Sequence, residues 1–400
     1  MYNAAPIRHI RQLCTSASSA STTSISRAKS RLRSQHDPDK ALQIYSSLSK
    51  DYNSAASTRH ALDLTVRRLL KSHRFSDIEN FIESQKNDPK VKKEPFLSTL
   101  ILSYGRAGMF DHALRTYDQM DDLGTPRSAN SFNALLNACN QSKLFDKVPQ
   151  LFDEMPKKYG FMPDKVSYGI LVKSFCEAGQ PAKAFEIVKE AEEKGVEPTV
   201  VTFTTILDAL YSKGKIDEAE KLWTLMDKKG CIDVAAYNVK IRVAHSGTPA
   251  EVNAVMGEMS SSGFKPDTVG YNYLMTCYFQ CGMVKEAKEV FKGLGKNGCN
   301  PNSATFRTSI FHLCNAGDFE EGYKVFKESV KLLKIPDFNT LKPLVEGLVK
   351  KGKKKEAKGM IRTMKKKSPP NMLKEWGMLE ENLKLTSVKA DTHEAKEASA

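Results

Sequence analysis

Cations are crowded near the carboxyl-terminal end of the sequence, and the chemistry they could perform is phosphate binding. Ten of the 18 residues from 350 to 367 are Lys or Arg, and Glu356 is the one carboxylate among them. These cations are Lys350, Lys351, Lys353, Lys354, Lys355, Lys358, Arg362, Lys365, Lys366 and Lys367. Such a cluster predicts contacts with nucleic-acid phosphates that follow the backbone without reading bases. The alternative is a solvated, lysine-rich cap that keeps the end of a repeat array soluble.

Cysteine and histidine, which often perform catalysis or hold metals, show no shared motif. The eight cysteines have no paired CxxC spacing, and a chain this long does not need disulfides for stability. Cys277 and Cys281 lie four residues apart, but no second pair or neighbouring His completes a tetrahedral metal site. The His-x-Glu and Pro-Cys-x-x-Cys elements of zinc deaminases are absent from the sequence. We therefore predict no enzyme activity, no cofactor and no metal.

The charge of the chain is concentrated at its two ends. The 400 residues include 61 Lys and Arg and 47 Asp and Glu, a formal net charge of +14. Residues 1–36 contribute +6 and residues 338–375 contribute +9, whereas residues 37–337 carry only +1. A basic balance favours acidic partners such as nucleic acid. Contacts of the nearly neutral body with nucleic acid would have to be selective rather than general.

Residues 1–36 have the composition of an organelle address. They are rich in Ser, Thr, Ala and Arg, contain no Asp or Glu, and lack the apolar run of a secretory signal. We expect a mitochondrial transit peptide, and we prefer the mitochondrial matrix to the plastid because arginine predominates. The alternative is a disordered basic tail that binds RNA directly. No stretch reaches the roughly 18 apolar residues of a membrane-spanning helix, so we expect no membrane insertion.

The body of the chain is periodic and must fold into repeated elements. An aromatic residue recurs every 34 to 36 residues, at Phe132, Tyr168, Phe203, Tyr237, Tyr271 and Phe306, with Leu341 in the next slot. In residues 200–233, two apolar stripes at helical spacing flank Gly214, which predicts two helices joined by a turn. A pair of helices cannot bury its apolar faces alone, so the repeats must stack. We predict an all-α fold, an α-solenoid of helix-turn-helix repeats of about 35 residues.

Two repeat families share this period: the tetratricopeptide repeat, which usually binds peptides, and the pentatricopeptide repeat, which usually binds single-stranded RNA. The segments 200–203, 237–238 and 265–272 closely resemble the pentatricopeptide signature, in which an aromatic–Asn pair opens the first helix and Pro-Asp closes the repeat. The tetratricopeptide pattern needs Trp near the start of the first helix, and neither Trp223 nor Trp376 lies there. The sequence is therefore identified as a member of the P-type pentatricopeptide family.

The resemblance covers about 280 residues in eight repeats. We place these repeats at 94–128, 129–164, 165–199, 200–233, 234–267, 268–302, 303–337 and 338–372. Upstream, residues 37–93 are expected to form degenerate helical repeats. Residues 373–400 are expected to form a partly disordered carboxyl-terminal tail, because their end is small and polar.

The resemblance implies where bases are read. In this family each repeat reads about one base, through the residue after the opening aromatic and the residue that ends the repeat. The implied base-contacting pairs are Asn133 with Asp164, Thr204 with Asp233, Asn238 with Asp267, and Asn272 with Asn302. By the family's code, Asn-Asp resembles a uracil reader, Thr-Asp a guanine reader and Asn-Asn a cytosine reader. The alternative for each Asp or Asn is a helix cap or a turn residue.

Other repeats depart from this pattern. Gly169, paired with Thr199, offers a base no side chain, and Ser98 with Ser128 is a weaker candidate. Arg307 and Lys342 are cations, which suit phosphate better than a base edge. Arg307 could alternatively form an ion pair with Asp337, which ends its repeat.

The short array, the incomplete code and the basic end resemble the pentatricopeptide proteins that are built into plant mitochondrial ribosomes. The leading interpretation is a non-enzymatic, RNA-binding component of the mitochondrial small ribosomal subunit that contacts rRNA or mRNA, with ribosomal proteins as further partners. One alternative is a free factor for the stability, processing or translation of one transcript. A second is a protein-binding scaffold. No small-molecule substrate is expected.

Overall fold

The predicted all-α fold is confirmed by the structure. It is a computed structural model that describes residues 25–35, 37–48, 55–368 and 370–385. These residues form 21 α-helices and one 3-10 helix, with no β-strand among them. The chain divides into two compact units, Met1–Thr202 and Phe203–Ala400, called here the N-terminal and C-terminal units.

The N-terminal unit is a stack of helix pairs. Its helices are α1 (Ile25–Ser34), α2 (Pro38–Ser46), α3 (Ala55–Lys71), α4 (Phe75–Gln85), α5 (Glu94–Arg106), α6 (Phe110–Asp118), α7 (Ala129–Gln141), α8 (Lys147–Tyr159), α9 (Lys165–Glu177) and α10 (Pro181–Glu193). A 3-10 helix, Pro89–Lys92, precedes α5. From α3 onward, odd-numbered helices are first helices and even-numbered helices are second helices. The first helices α3, α5, α7 and α9 pack side by side in one row.

The C-terminal unit repeats the same arrangement. Helix α11 (Val200–Ser212) contains the limit between the two units, and the helices that follow are α12 (Ile216–Lys228), α13 (Val234–Ala244), α14 (Pro249–Ser261), α15 (Thr268–Gln280), α16 (Val284–Gly293), α17 (Ser303–Asn315), α18 (Phe319–Lys331), α19 (Phe338–Lys350), α20 (Lys354–Lys367) and α21 (Pro370–Asn382). The first helices α13, α15, α17 and α19 form the row, and each packs on its own second helix. This stacking of helical hairpins is the arrangement of an α-solenoid.

The turns between paired helices depend on a left-handed backbone. Gly214 and Gly282 have φ values of 70° and 74°, which glycine adopts without the steric cost of a Cβ atom. Lys143 occupies the same position in its repeat, and its φ is 60°. A non-glycine residue in this conformation costs about 1–2 kcal/mol. The packing of α7 and α8 therefore maintains the turn geometry without help from a glycine.

Close packing of first helices builds the core of each unit. In the N-terminal unit, Phe96, Tyr104 and Phe132 are fully buried. Gly105 lies so near α7 that a Cβ atom there would be 2.4 Å from the Cα of Ala138. In the C-terminal unit, Phe306 is fully buried in the core. Packing of this kind positions the first helices, which carry the predicted base-contacting residues.

Both chain ends contain helices that the repeat pattern did not predict. Leu32 of α1 is fully buried, and Arg68 of α3 donates hydrogen bonds to the Leu32 and Arg33 carbonyls at 3.2 and 2.8 Å. At the other end, Trp376 of α21 is fully buried and meets Phe338 edge to face, with ring centroids 4.7 Å apart.

The boundaries proposed for the two end segments stay predictions. The expected transit peptide falls on residues 1–36, of which residues 1–24 and 36 lie outside the described residues. Residues 386–400 of the expected tail lie outside them as well. Within the described ranges, each of the eight predicted repeats contains two helices, and none of these helices has the length and apolarity to cross a membrane.

Candidate RNA interface

The structure brings the members of two predicted base-contacting pairs into direct contact. Asn133 Nδ2 donates to Asp164 Oδ1 at 3.0 Å, across 31 positions of sequence. Asn238 Nδ2 donates to Asp267 Oδ1 at 3.2 Å, across 29 positions. In both cases the first residue lies on a first helix, and the second begins the next first helix. A repeat-ending residue therefore meets the reader of its own repeat because first helices pack side by side.

Each repeat-ending partner also caps a helix. Asp164 Oδ1 accepts from the backbone amides of Val166 and Ser167, both at 2.9 Å. Asp267 Oδ1 accepts from Val269 and Gly270 in the same way. Such caps stabilise a helix by about 1 kcal/mol, which explains these residue types locally.

The other two partners are caps as well. Asp233 Oδ1 accepts from the Ala236 amide at 2.8 Å, and Asn302 Oδ1 accepts from the Thr305 amide at 3.0 Å. Capping uses only some of the polar atoms of these side chains. In the described part of the chain, no hydrogen bond reaches Oδ2 of Asp164, Asp233 or Asp267. Capping and base contact are therefore compatible at one residue.

Three predicted readers of the C-terminal unit hold buried polar atoms without a partner. Thr204 Oγ1, Asn238 Oδ1 and Asn272 Oδ1 make no hydrogen bond to any described residue. They lie at the same position of three successive repeats, 34 residues apart. A buried polar group left unpaired costs about 1–3 kcal/mol, so an external partner that formed hydrogen bonds with these three atoms would recover that free energy. The edge of a nucleic-acid base presents such groups.

Asn133 differs from these three because both polar atoms of its amide have partners within the protein. Asn133 is buried, with 8% of the residue exposed. Its Oδ1 accepts from Ser167 Oγ at 2.6 Å, while its Nδ2 is held by Asp164. Burial acts to raise the pKa of Asp164, but the donors of Asn133 and Ser167 outweigh it and hold that pKa below its ordinary value.

The third residue of the following first helix explains the difference. At the position of Ser167, the later repeats have Ala236, Gly270 and Thr305. Ala236 and Gly270 lack a hydroxyl, so they donate nothing to Thr204 or Asn238. The Thr305 hydroxyl donates instead to Asn302 Oδ1, at 3.2 Å. Whether the amide oxygen at a predicted base-contacting position is paired thus depends on a neighbour in the next repeat.

Three first helices each carry an exposed valine near their predicted base-contacting residue, a feature that the sequence pattern alone did not bring out. Val166, Val201 and Val269 are 48%, 71% and 39% exposed, each at the second position of a first helix. Apolar side chains at this position could stack on bases next to the reader. The signal was present in the sequence as a valine two residues before the opening aromatic of three repeats, at Tyr168, Phe203 and Tyr271.

The weaker candidates make internal contacts. Ser98 Oγ donates to the Glu94 carbonyl, and Ser128 Oγ donates to the Glu94 carboxylate, both at 2.8 Å. Arg307 Nε lies 3.5 Å from Asp337 Oδ2, so the ion-pair alternative for Arg307 is present in the structure. Lys342 Nζ lies 4.0 Å from Glu346 Oε1. Exposed pairs of this kind contribute at most about 1 kcal/mol, and either cation can exchange its partner for a phosphate.

The carboxyl-terminal cations are gathered mainly on α20. At about 100° per residue, six of them fall within an arc of about 120° on the helix surface. These are Lys354, Lys355, Lys358, Arg362, Lys365 and Lys366, called here the basic face. The opposite side carries Ala357, Met360, Ile361 and Met364, which are buried. Lys367 lies away from this face, Lys350 ends α19, and Lys351 and Lys353 lie in the turn before α20.

Burial makes two of the cysteine thiols unreactive. Burial raises the pKa of Cys139 to about 11 and that of Cys314 to about 12, which keeps both thiols protonated near neutral pH. No cluster of three or more His, Cys, Asp or Glu side chains able to hold a metal occurs among the described residues.

Family models match much of the chain. A model described as "PPR repeat family" matches residues 127–177, 163–212, 198–245 and 266–315. A second, described as "PPR repeat", matches residues 97–125 and 342–368. Together the matches cover more than half of the 400 residues.

Individual relatives align over nearly the whole chain. The Arabidopsis thaliana protein named small ribosomal subunit protein mL103 (rPPR7) is 57% identical over 404 residues, which is 98% of each chain. A pentatricopeptide repeat-containing protein of the same plant, named as mitochondrial, is 54% identical over 91% of this chain and 86% of its own. Among solved structures, maize PPR10 aligns with a TM-score of 0.41 and 20% identity, over 94% of this chain and 62% of that one.

Proposed function

The chain belongs to the pentatricopeptide repeat family, and from this premise we propose that it is a non-enzymatic RNA-binding component of the mitochondrial small ribosomal subunit. Its support is the relative named as a small ribosomal subunit protein, which aligns over 98% of both chains. The name of the second relative supports the mitochondrial location. Contacts with rRNA or mRNA are made by the rows of first helices, and neighbouring ribosomal proteins are further partners.

One observation carries the RNA-binding role. Thr204, Asn238 and Asn272 hold unpartnered buried polar atoms at one position of three successive repeats. A strand of RNA offers one base per repeat, and each base edge can pair with one of these groups.

The pairs assign a base to each of these repeats. Thr204 with Asp233 selects guanine, Asn238 with Asp267 selects uracil, and Asn272 with Asn302 selects cytosine. In the second pair the Asn238 amide nitrogen is oriented by Asp267, which leaves its oxygen free to accept a hydrogen bond from the base. In the N-terminal unit, Asn133 with Asp164 selects uracil more weakly, because Ser167 already occupies the Asn133 oxygen.

The substitution Asn238→Thr tests base reading, since it converts the Asn–Asp pair into the Thr–Asp pair found at Thr204 and Asp233. We expect the preferred nucleotide to change from uracil to guanine, by about fivefold for a difference near 1 kcal/mol. Fluorescence anisotropy with four single-stranded RNAs that differ at one nucleotide measures the change. Asn253→Thr is the matched control, because Asn253 is exposed on the second helix α14. An unchanged preference in the Asn238 variant would remove this repeat from the code.

Sedimentation tests the ribosomal role. Mitochondrial lysate is treated with RNase, washed at high salt and separated on a sucrose gradient. A ribosomal component stays with the small subunit, because its protein and rRNA contacts survive the loss of exposed mRNA. Release into the light fraction would contradict the proposal and would favour a free, transcript-specific factor.

A further inference from the structure

We propose that the basic face of α20 is a second RNA site, which binds the phosphate backbone of a base-paired RNA segment. The proposal rests on the RNA-binding function above, but it uses a different surface. The base-contacting candidates lie on first helices and their caps, whereas α20 is the second helix of the last repeat.

The charge of α20 sets it apart from the second helices before it. It carries seven Lys and Arg and a single carboxylate, Glu356. Helix α16 carries three lysines and two glutamates, and α18 carries three of each. Mixed signs are what a solvated helix needs for solubility. An excess of six positive charges on one 14-residue helix instead complements a polyanion.

The basic face is regular as well as charged. Four of its cations, Lys354, Lys358, Arg362 and Lys366, follow one another at four-residue intervals. They therefore form a line in which neighbours are about 6 Å apart and which is about 18 Å long. None of the four has an ion-pair partner in the described part of the chain, whereas Lys353 is paired with Glu320 and Lys365 with Glu380. The line thus presents free positive charge.

The residue types favour a duplex over a single strand. Proteins that hold single strands stack bases on aromatic side chains, and α20 contains no aromatic residue, Asn or Gln. Double-stranded RNA hides its bases and is bound through phosphates and shape. A face that contains only flexible cations matches the second kind of surface.

The helix is held rigidly for this role. Ala357, Met360 and Ile361 are fully buried against the rest of the C-terminal unit. Helix α21 packs on α20 and contributes the buried Trp376 to the same core. The line of cations is therefore already formed before RNA arrives, and binding requires no folding of the helix.

The test compares two triple variants of the full chain. Lys354→Gln, Lys358→Gln and Lys366→Gln remove three charges from the line. The matched control removes three exposed lysines from the region of α16, through Lys285→Gln, Lys292→Gln and Lys296→Gln. Each protein is titrated with a perfectly paired RNA hairpin and with a single strand of equal length, between 50 and 200 mM salt. A Lys→Arg triple at 354, 358 and 366 keeps the charge and reports on any effect of the substitutions on folding.

We expect the α20 triple to lose at least tenfold in hairpin affinity at 100 mM salt. The slope of log affinity against log salt concentration should become less steep by about 2, since each lost phosphate contact removes about 0.7–0.9 from the slope. The Lys→Arg triple and the α16 control should bind as the unmodified protein does. Base discrimination at Asn238 on single strands should be unchanged, so this outcome is separate from the test of the proposed function.

Three outcomes would overturn the proposal. The first is an unchanged hairpin affinity and salt slope in the α20 triple. The second is an equal loss for hairpin and single strand, which would make the basic face part of single-strand binding. The third is a normal hairpin affinity together with loss of small-subunit binding after RNase treatment, which would identify an acidic protein as the partner.

Discussion

Replacing Ser167 with alanine should weaken the fold and strengthen base reading at the same position. The Ser167 hydroxyl lies 2.6 Å from Asn133 Oδ1 and is the donor that satisfies this buried oxygen. Its removal leaves a buried acceptor unpaired, which costs about 1–3 kcal/mol in the free protein. The oxygen then becomes available to the N3–H group of uracil. One such hydrogen bond, worth about 1 kcal/mol, raises the preference for uracil about fivefold.

The reciprocal substitution is Gly270→Ser, in the repeat where the reader is free. A Cβ atom at Gly270 would lie 3.4 Å from Asn238 Oδ1, so a serine hydroxyl there can reach the oxygen as Ser167 reaches Asn133. We expect the uracil preference of this repeat to fall about fivefold, since the base must compete for the oxygen. The new Cβ would also lie 3.3 Å from Ile241 Cδ1, so the gain of about 0.5 kcal/mol in helix propensity is realised only as far as that methyl group moves away.

Two measurements decide the matter. Anisotropy with RNAs that differ at one nucleotide gives the preference, and urea denaturation gives the stability. Ser174→Ala is the control, since it removes a buried serine hydroxyl from the same helix that donates to the Leu171 carbonyl and not to a predicted base-contacting residue. The reasoning is refuted if Ser167→Ala lowers the stability without changing the preference for uracil. It is refuted equally if Gly270→Ser leaves the preference intact.

Two further predictions concern the fold itself. Gly105→Ala should destabilise the N-terminal unit by about 1–3 kcal/mol, because the new Cβ atom would clash with the Ala138 backbone. Gly257→Ala, where a Cβ atom meets open space, should instead stabilise α14 by up to about 1 kcal/mol. Thermal unfolding of both variants measures these changes. Burial lowers the pKa of His312, so the unfolded chain takes up a proton below about pH 6.5 more readily than the folded chain does. The C-terminal unit should therefore lose stability as the pH falls from 7 to 5. His312→Phe keeps an aromatic ring against Phe279 and should remove this pH dependence. Urea denaturation at each pH measures the stability of both proteins.

Much of the fold could be predicted because the sequence features that specify it act locally and recur along the repeats. The aromatic at Phe132 and Tyr168, the turn glycine and the cap at Asp164 recur at one period, and each has its effect within a few residues. The helices at the two ends could not be predicted in the same way. Trp376 of α21 is buried by α19 and α20, and no repeated pattern marks it.

For the site, the sequence by itself determined which residue types stand at the reading positions, because spacing along a regular helix places them on one edge. Only the tertiary structure decided which of them have an unpaired polar atom. Asn133 and Asn238 are the same residue at the same position of their repeats, and both are held by an aspartate. Their oxygens differ because the next first helix brings a hydroxyl to one and a glycine to the other, and contacts across about 30 residues form only when helices pack side by side.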